Sequence, residues 1–599
     1  MTTEHLAAAG HPRPQLIRDP NWNDLSGPWG FAYDDTDIGR SERWQHSADP
    51  FDRTITVPYP PESKLSGIND TGFHPVVWYR REISTALPVG GRRLLLHFGA
   101  VDYHATVWVN GQLVGEHEGG HVGFSLDITD ALNTSGTQVI TVRAEDRPQD
   151  SAQPRGKQDW EAEPHVIWYH RTTGIWQPVW LEEVPALRIE TLHWTPDLPA
   201  CRVRCEIKLN DWPSAPHRLE VELRLGTEIL ASQSARITGR ELHLDIAVPA
   251  LRHGQDLERL LWSPENPHLV DAAVRLNDSE DAPVDHISSY LGLRSIGTRD
   301  GRFLLNTKPY FLSFALEQGY WPQSHLAAPA ADLRREVELA KELGLNGIRI
   351  HQKIEDPRFL YWCDRLGLLV WEEMPSVYEY GTTAVHRVVA EWTAAIERDR
   401  SHPSIMAWVP INESWGVPNL AERAEQRHFA TGLYHLTKGL DPSRPAISND
   451  GWEITAGDFW GIHDYHQNPD VLRRRYEHDA LRRGDLRELW PNLKRLLLDD
   501  PQYTGQPVML TEFGGATFVP AEGENWFGYG TVTSEDEYAE MLSGLIEACV
   551  DSGLAGYCFT QLTDTEQETN GLLTEERRPK LPMERMRAIL RRSSHVTGH

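Results

Sequence analysis

Two glutamates each close an apolar run, and a pair of carboxylates so placed can share acid, base and nucleophile work. Glu413 follows the apolar run SIMAWVPI (404–411), and Glu512 lies near the end of PVMLTEF (507–513). Hydrolysis of a glycoside needs two carboxylates flanking the scissile bond, one to protonate the leaving oxygen and one to attack the sugar or activate water. Other polar side chains end apolar runs in the same way. Arg349 and His351 close GLNGIRI and its loop, Glu372 and Glu373 close GLLVWEE, Asn412 precedes Glu413, and His463, Asp464 and Tyr465 close FWGIHDY.

The elements that carry these residues alternate strand and helix after about Gly297, the rhythm of parallel β/α units. Eight strand candidates occur in order: PYFLSFAL, GLNGIRI, GLLVWEE, SIMAWVPI, RPAISND, FWGIHDY, PVMLTEF and LAGYCFTQL. Helical stretches such as ADLRREVELAKELG and VHRVVAEWTAAIERDR lie between several of them. Eight such units close a (β/α)8 barrel, whose active site forms at the C-terminal ends of the strands. Strands four and seven then face each other across the barrel mouth, with Glu413 and Glu512 at their ends.

The chain ahead of the barrel is all-β. From Trp22 to about Pro185 short alternating strands are broken by Gly, Pro, Asn and Asp; HATVWV, Asn110-Gly111 and QLVGEHE form the clearest hairpin, since Asn-Gly supplies the positive φ angles of a tight turn. A jelly-roll sandwich is the natural solution. Strands continue through RVRCEIKLN, HRLEVELRL and ELHLDIAVPA in a stretch of immunoglobulin-like size. The expected organisation is a jelly roll over 1–185, an immunoglobulin-like β-sandwich over 186–296 and a catalytic TIM barrel over 297–599.

Composition narrows the partners. A net charge of −28 argues against nucleic acid or an anionic membrane, which need a concentrated basic surface. No apolar run reaches the ~20 residues of a membrane span, and the start, MTTEHLAAAGHPRPQL, lacks a basic segment followed by an apolar core, so a cytoplasmic location is expected. Five cysteines fit a reducing compartment. Cys201 and Cys205 in an extended CRVRC strand would lie roughly 13 Å apart, too far to bridge, and all five are expected as buried thiols. Neither CxxC nor HExxH occurs, and no cofactor or metal is expected. Strand alternation points His463 and Tyr465 one way and Asp464 and His466 the other, which works against a metal site there.

The motifs HPSIMAWVPINES (402–414) and PVMLTEFGG (507–515) resemble the acid/base and nucleophile segments of glycoside hydrolase family 2. NWNDLSGPW, VVWYRREI, VWVNGQLVGEHEGG, RTTGIWQPVWLE, GLNGIRI, EDPRFLYWCDRLGLLVWEEMPS and TDTEQETNGLL follow in that family's order, across nearly the whole chain. The resemblance implies a retaining mechanism with Glu512 as nucleophile and Glu413 as acid/base. It also implies that Asn412 bonds the sugar 2-hydroxyl and that Arg349 and Tyr465 bond the nucleophile. His351, His463 and Glu373 are further candidates for sugar contact, against the plainer reading of packed strand-end residues. Trp415 and Trp452, with Trp321, Trp460 and Trp526, lie where an indole face can stack on a sugar ring.

The expected partner is a small carbohydrate or glycoside, and a homo-oligomer built through the β domains is compatible with the sequence. Familiar β-glucuronidases of the family carry an Asn-x-Lys pair after strand eight, and TDTEQETNGLLTEERRPK has none there, which demotes a glucuronide. The large metal-dependent galactosidases show Ser-His-Tyr-Pro after strand two where this chain has His351-Gln352-Lys353, so their magnesium site does not carry over. A β-galactoside ranks first, ahead of a β-galactofuranoside, an α-L-arabinopyranoside and a β-mannoside. A carbohydrate-binding protein without catalysis is the alternative of a different class; the presence of both glutamates weighs against it.

Overall fold

A computed structural model describes residues 10–18, 22–134, 136–252, 254, 257–477, 481, 486, 489–499, 504–519 and 526–591. The predicted ends of the first and third domains, 1–9 and 592–599, lie outside the described residues, as does Asn21 of the opening motif.

Antiparallel strands between Trp22 and Val184 make one sheet of four and one of six, stacked over a core that includes Trp29, Phe31, Tyr79, Leu96 and Val107. His104–Val109 and Gln112–Glu118 pair through the tight turn anticipated at Asn110 and Gly111, whose φ angles are 52° and 78°. Ile189–Leu291 forms a second sandwich from sheets of three and four strands. His217–Leu225 (HRLEVELRL) shows why: every second side chain as far as Leu223 is buried and the intervening ones are charged.

Cys201 departs from the expectation. It is half-buried in the turn before strand Arg202–Leu209, at φ 52°, and not in the strand; Cys205, Cys363, Cys549 and Cys558 are buried, and all five are free thiols.

The third domain is a barrel of parallel strands. Strands one (Leu312–Glu317), two (Gly347–Ile350), three (Leu369–Glu373), four (Ile405–Val409), six (Trp460–His463), seven (Val508–Phe513) and eight (Gly556–Phe559) form one sheet in the order four-three-two-one-eight-seven-six. All seven are buried on both faces, as expected where helices cover the outside. The helix Pro357–Leu366 illustrates the covering layer: Asp356 caps it by accepting from Arg358 N, Pro357 opens it, and Gly367 at φ 77° ends it.

The predicted fifth strand, RPAISND, is not a regular strand. Pro445 offers no N–H, and Ala446 N donates to Asp458 rather than to a neighbouring strand. The segment is held by isolated parallel bridges, Trp408 to Ala446 and Asn412 to Asp450, and His463 N reaches Gly451 O at 3.4 Å, which closes the barrel between strands four and six.

The domains are joined by buried polar contacts. Arg18 bonds Glu182 of the first domain at 3.1 Å and Asp285 of the second at 2.9 Å, with all three side chains at most 5% exposed. Trp262 Nε1 donates to Asp364 O of the barrel, and Glu391 of the barrel accepts from His121 N of the jelly roll. The first domain's 146–173 segment lies across the barrel mouth, where Arg155 N and Gly156 N both donate to Ser376 O. Gly156 is required there: at φ 62°, a Cβ would sit 2.2 Å from Gln352 O.

Candidate active site

Strand four ends in a sharp turn. Glu413 and Ser414 take φ angles of 51° and 59°, a costly conformation for residues with a Cβ, held by Glu413 N donating to Asp450 O and Ser414 N to Asn449 Oδ1. The turn aims Glu413 inward, where 16% of its side chain remains exposed. Glu512, on strand seven, exposes 7%. Carboxylate oxygens of the two, with a ring nitrogen of His463, all lie within 4.8 Å of one another.

The two glutamates differ in surroundings. Arg349 Nη1 donates to Glu512 Oε1 at 2.9 Å and Tyr465 Oη to Oε2 at 2.5 Å, so both oxygens of this carboxylate are engaged. Tyr465 is fixed by stacking on Tyr529, centroids 3.5 Å apart. Burial alone would push the Glu512 carboxyl up, but the His463 and Arg349 charges and the Tyr465 hydrogen bond pull it down to about 2. The Glu413 carboxylate instead meets a single hydrogen-bond partner among the described residues, His463 Nδ1 at 2.7 Å.

His463 is a buried cation. Burial favours its neutral form, yet the Glu512 charge and the bonds to Asp450 and Glu413 raise it to about 10. Asp450 is held down to about 2, burial being outweighed by Arg349 and His463. It fits beside strand six because Gly461 has no Cβ, which would fall 1.7 Å from Asp450 Oδ1. His351, by contrast, is kept neutral by burial and by Arg349.

Three of the residues predicted at the site are closed off from solvent. Glu373 has no exposed surface: Oε2 takes Nε and Nη2 of Arg349, Oε1 takes Gln352 N, and His351 Nδ1 is 2.9 Å away. Burial pushes Glu373 up to about 7 against the pull of Arg349. Arg349 is equally buried and binds the carboxylates, with Nη2 also on Asn412 Oδ1 at 2.8 Å. His463 is fully buried under Glu413. All three position other groups and do not line the pocket. Asn412 leaves its amide nitrogen without a hydrogen-bond partner among the described residues, directed by the Arg349 contact on its oxygen.

Trp452 stands edge-on to His463, centroids 5.6 Å apart, and Trp415 packs against Trp168 and Tyr378. Trp460 is a correction: it is 1% exposed within strand six and belongs to the barrel core. Trp321 is covered by Arg577, 3.9 Å above its ring.

Several site residues escaped the sequence. Asp450 ends the fifth predicted run and was findable by the rule that found Glu413. Lys157 and Glu568 were not. Lys157 is buried, comes from the jelly roll, and has no hydrogen-bond partner among the described residues; burial lowers it, while Glu568, Glu512, Glu413 and Glu373 surround it. Glu568, on the loop after strand eight, accepts from Tyr169 Oη and from Asn570 Nδ2 at 3.1 Å, and burial raises it. Five carboxylates thus face three cations, Arg349, His463 and Lys157. A cavity of about 470 Å³ lies elsewhere, at the junction of the three domains, and none of these residues lines it.

Family models match the chain in three consecutive blocks: the sugar-binding domain of glycosyl hydrolases family 2 over residues 22–185, a central family 2 domain over 187–294, and the family 2 TIM barrel domain over 296–592. Among curated proteins, a putative β-glucuronidase of Formosa agariphila is 25% identical over 67% of this chain and 49% of its own length. A β-galactosidase of Thermoanaerobacter pseudethanolicus is 28% identical over 62% of this chain and 48% of its own. The chain spans about half the length of these two relatives. A β-galacturonidase structure from Eisenbergiella tayi superposes with a TM-score of 0.74 over 96% of both chains at 22% identity, a likeness of fold.

Proposed function

We infer, from the premise that this chain belongs to glycoside hydrolase family 2, that it is a retaining exo-β-glycosidase releasing terminal non-reducing sugars, with a β-galactoside as first-ranked substrate. The observation that carries the reading is the spacing of Glu413 and Glu512. Oxygens within 4.8 Å suit direct attack by one carboxylate, whereas an inverting pair stands about 6.5–9.5 Å apart to admit water. Glu512, ionised and aimed by Arg349 and Tyr465, attacks the anomeric carbon as Glu413 protonates the leaving oxygen. Glu413 then takes a proton from water, which displaces Glu512 and releases the sugar with its configuration kept.

Glu568 supports a neutral glycone, because it places negative charge on the loop where familiar β-glucuronidases hold a uronate carboxylate with Asn-x-Lys. One observation favours a second reading: the Lys157 ammonium, 5.5 Å over the Tyr169 ring, has no hydrogen-bond partner among the described residues and could be answered by a sugar carboxylate, in keeping with relatives named β-glucuronidase and β-galacturonidase. Nitrophenyl β-galactopyranoside, β-galactofuranoside, α-L-arabinopyranoside, β-mannoside, β-glucuronide and β-galacturonide, assayed with wild type and Glu512→Ala, separate these. Turnover of a neutral member, lost in the variant, supports the first reading; turnover of a uronide alone replaces it with the second. Sugar binding with no turnover of any member leaves a carbohydrate-binding protein.

A further inference from the structure

Apart from the catalytic glutamates, one cluster brings metal-ligand atoms together from three distant parts of the chain. His170 comes from the first domain's segment over the barrel mouth, His325 from the loop after strand one, and Glu566 from the loop after strand eight. We propose that His170, His325 and Glu566 bind one divalent transition-metal ion, with zinc the ion this donor set fits best, and that the ion pins these three loops together.

The geometry meets the requirement. One ligand atom from each residue lies within 4.8 Å of the other two. His170 Nδ1 is 2.9 Å and His325 Nδ1 3.8 Å from the same oxygen, Glu566 Oε1. Tetrahedral zinc with bonds near 2.0–2.1 Å sets its ligands about 3.3 Å apart, between those two values. Two imidazoles and a carboxylate are a zinc-type donor set that leaves a position for water, and all three residues are half-buried, so water can reach it.

The ligands are held before any ion arrives. Thr565 and Glu568 bond each other's backbones in both directions, which fixes Glu566 at the tip of a turn at φ 49°. His325, at φ 52°, is fixed by the same reciprocal pairing with Trp321. Its ring also reaches the Glu62 backbone, an outer contact of the kind that orients a ligating imidazole. His170 N donates to both Glu566 oxygens. The surroundings favour a cation: Glu62 and Glu163 act on His170, and Glu575 lies near Glu566, against Lys64 as the nearby positive charge on His325. Binding displaces the proton that His170 Nδ1 shares with Glu566.

The consequence reaches the pocket. The turn that presents Glu566 outward presents Glu568 inward, and the neighbours Tyr169 and His170 grip one glutamate each. An ion on Glu566 therefore stiffens the support of Glu568.

Calorimetric titration of the chelator-stripped full chain with zinc chloride at pH 7.5, without substrate, tests this apart from any glycosidase activity. One equivalent is expected to bind with a dissociation constant on the order of micromolar or tighter, and to raise the melting temperature. Glu566→Gln, which keeps shape and hydrogen bonding, and His325→Ala are each expected to weaken binding by about 10- to 100-fold and abolish the melting shift. Cobalt in place of zinc should give the visible bands of nitrogen and oxygen coordination in wild type and not in Glu566→Gln. Absence of binding to wild type, or equal binding by wild type and Glu566→Gln, overturns the proposal.

Discussion

Nδ1 of His463 lies 2.7 Å from Oε1 of Glu413, and Nε2 of the same ring faces Asp450 and Glu512, each at 3.5 Å. One imidazole thus connects the proposed proton donor, Glu413, to the proposed nucleophile, Glu512. Its own charge comes from the carboxylates around it. The stability it confers follows the raised value: present in full below the unfolded histidine range near 6.5, and lost as pH rises through about 10. The melting temperature is expected to fall between pH 6.5 and 10. The fall should be shallower in His463→Asn; an unchanged slope would contradict the buried cation.

Replacing Glu512 by Gln removes the proposed nucleophile while keeping its shape. Turnover is expected to drop by about 10⁴-fold or more, with the folded state retained, as measured on whichever nitrophenyl glycoside the wild type cleaves.

Tyr465→Phe takes one donor from Glu512 Oε2 and leaves Arg349 on Oε1. A loss of about 10²-fold in kcat/KM is expected, carried mostly by kcat, because the bond orients the attacking oxygen. A change confined to KM would assign Tyr465 to sugar binding instead.

Lys157→Ala removes the unpaired ammonium from the pocket. KM is expected to rise by about 10- to 100-fold, the worth of a hydrogen bond to a charged group, with a smaller change in kcat. Glu568→Gln in the same background should show coupling, since each group's charge acts on the other.

Arg18→Met removes the cation that joins the first two domains, leaving Glu182 to His97 at 3.1 Å and Asp285 without an ion-pair partner among the described residues. A loss of about 3–5 kcal/mol in stability is expected in denaturant titration, with activity per folded molecule unchanged.

The three-layered organisation was legible because each part has its own periodicity: two-residue alternation in HRLEVELRL, continuous apolar runs in the barrel strands. Strand ends then delivered Glu413, Glu512, Asn412, Arg349 and Tyr465 to one mouth. The sequence could not separate a side chain facing the sugar from one beneath it. Glu373, Arg349 and His463 carry polar groups at the right positions, and only the packing shows that their partners are each other. RPAISND has the apolar content of a strand, but Pro445 lacks the N–H that a ladder needs. Lys157 was invisible for a different reason: the carboxylates around it lie 216 (Glu373) to 411 (Glu568) positions further along the chain, and no local pattern announces that a loop of one domain completes another.

That loop has a consequence for how the molecule is made. Gly156 lays the segment bearing Lys157 against Gln352, but the groups that surround the ammonium extend to Glu568. On a ribosome adding about 5–20 residues per second, the jelly roll emerges roughly 20–80 seconds before Glu568 does. Until then the lysine is hydrated and its strap has nothing to close over. The pocket is therefore completed late, with only the helix Met583–Leu590 still to dock, and a chain cut short before the eighth strand would present a finished jelly roll with an unemployed lysine.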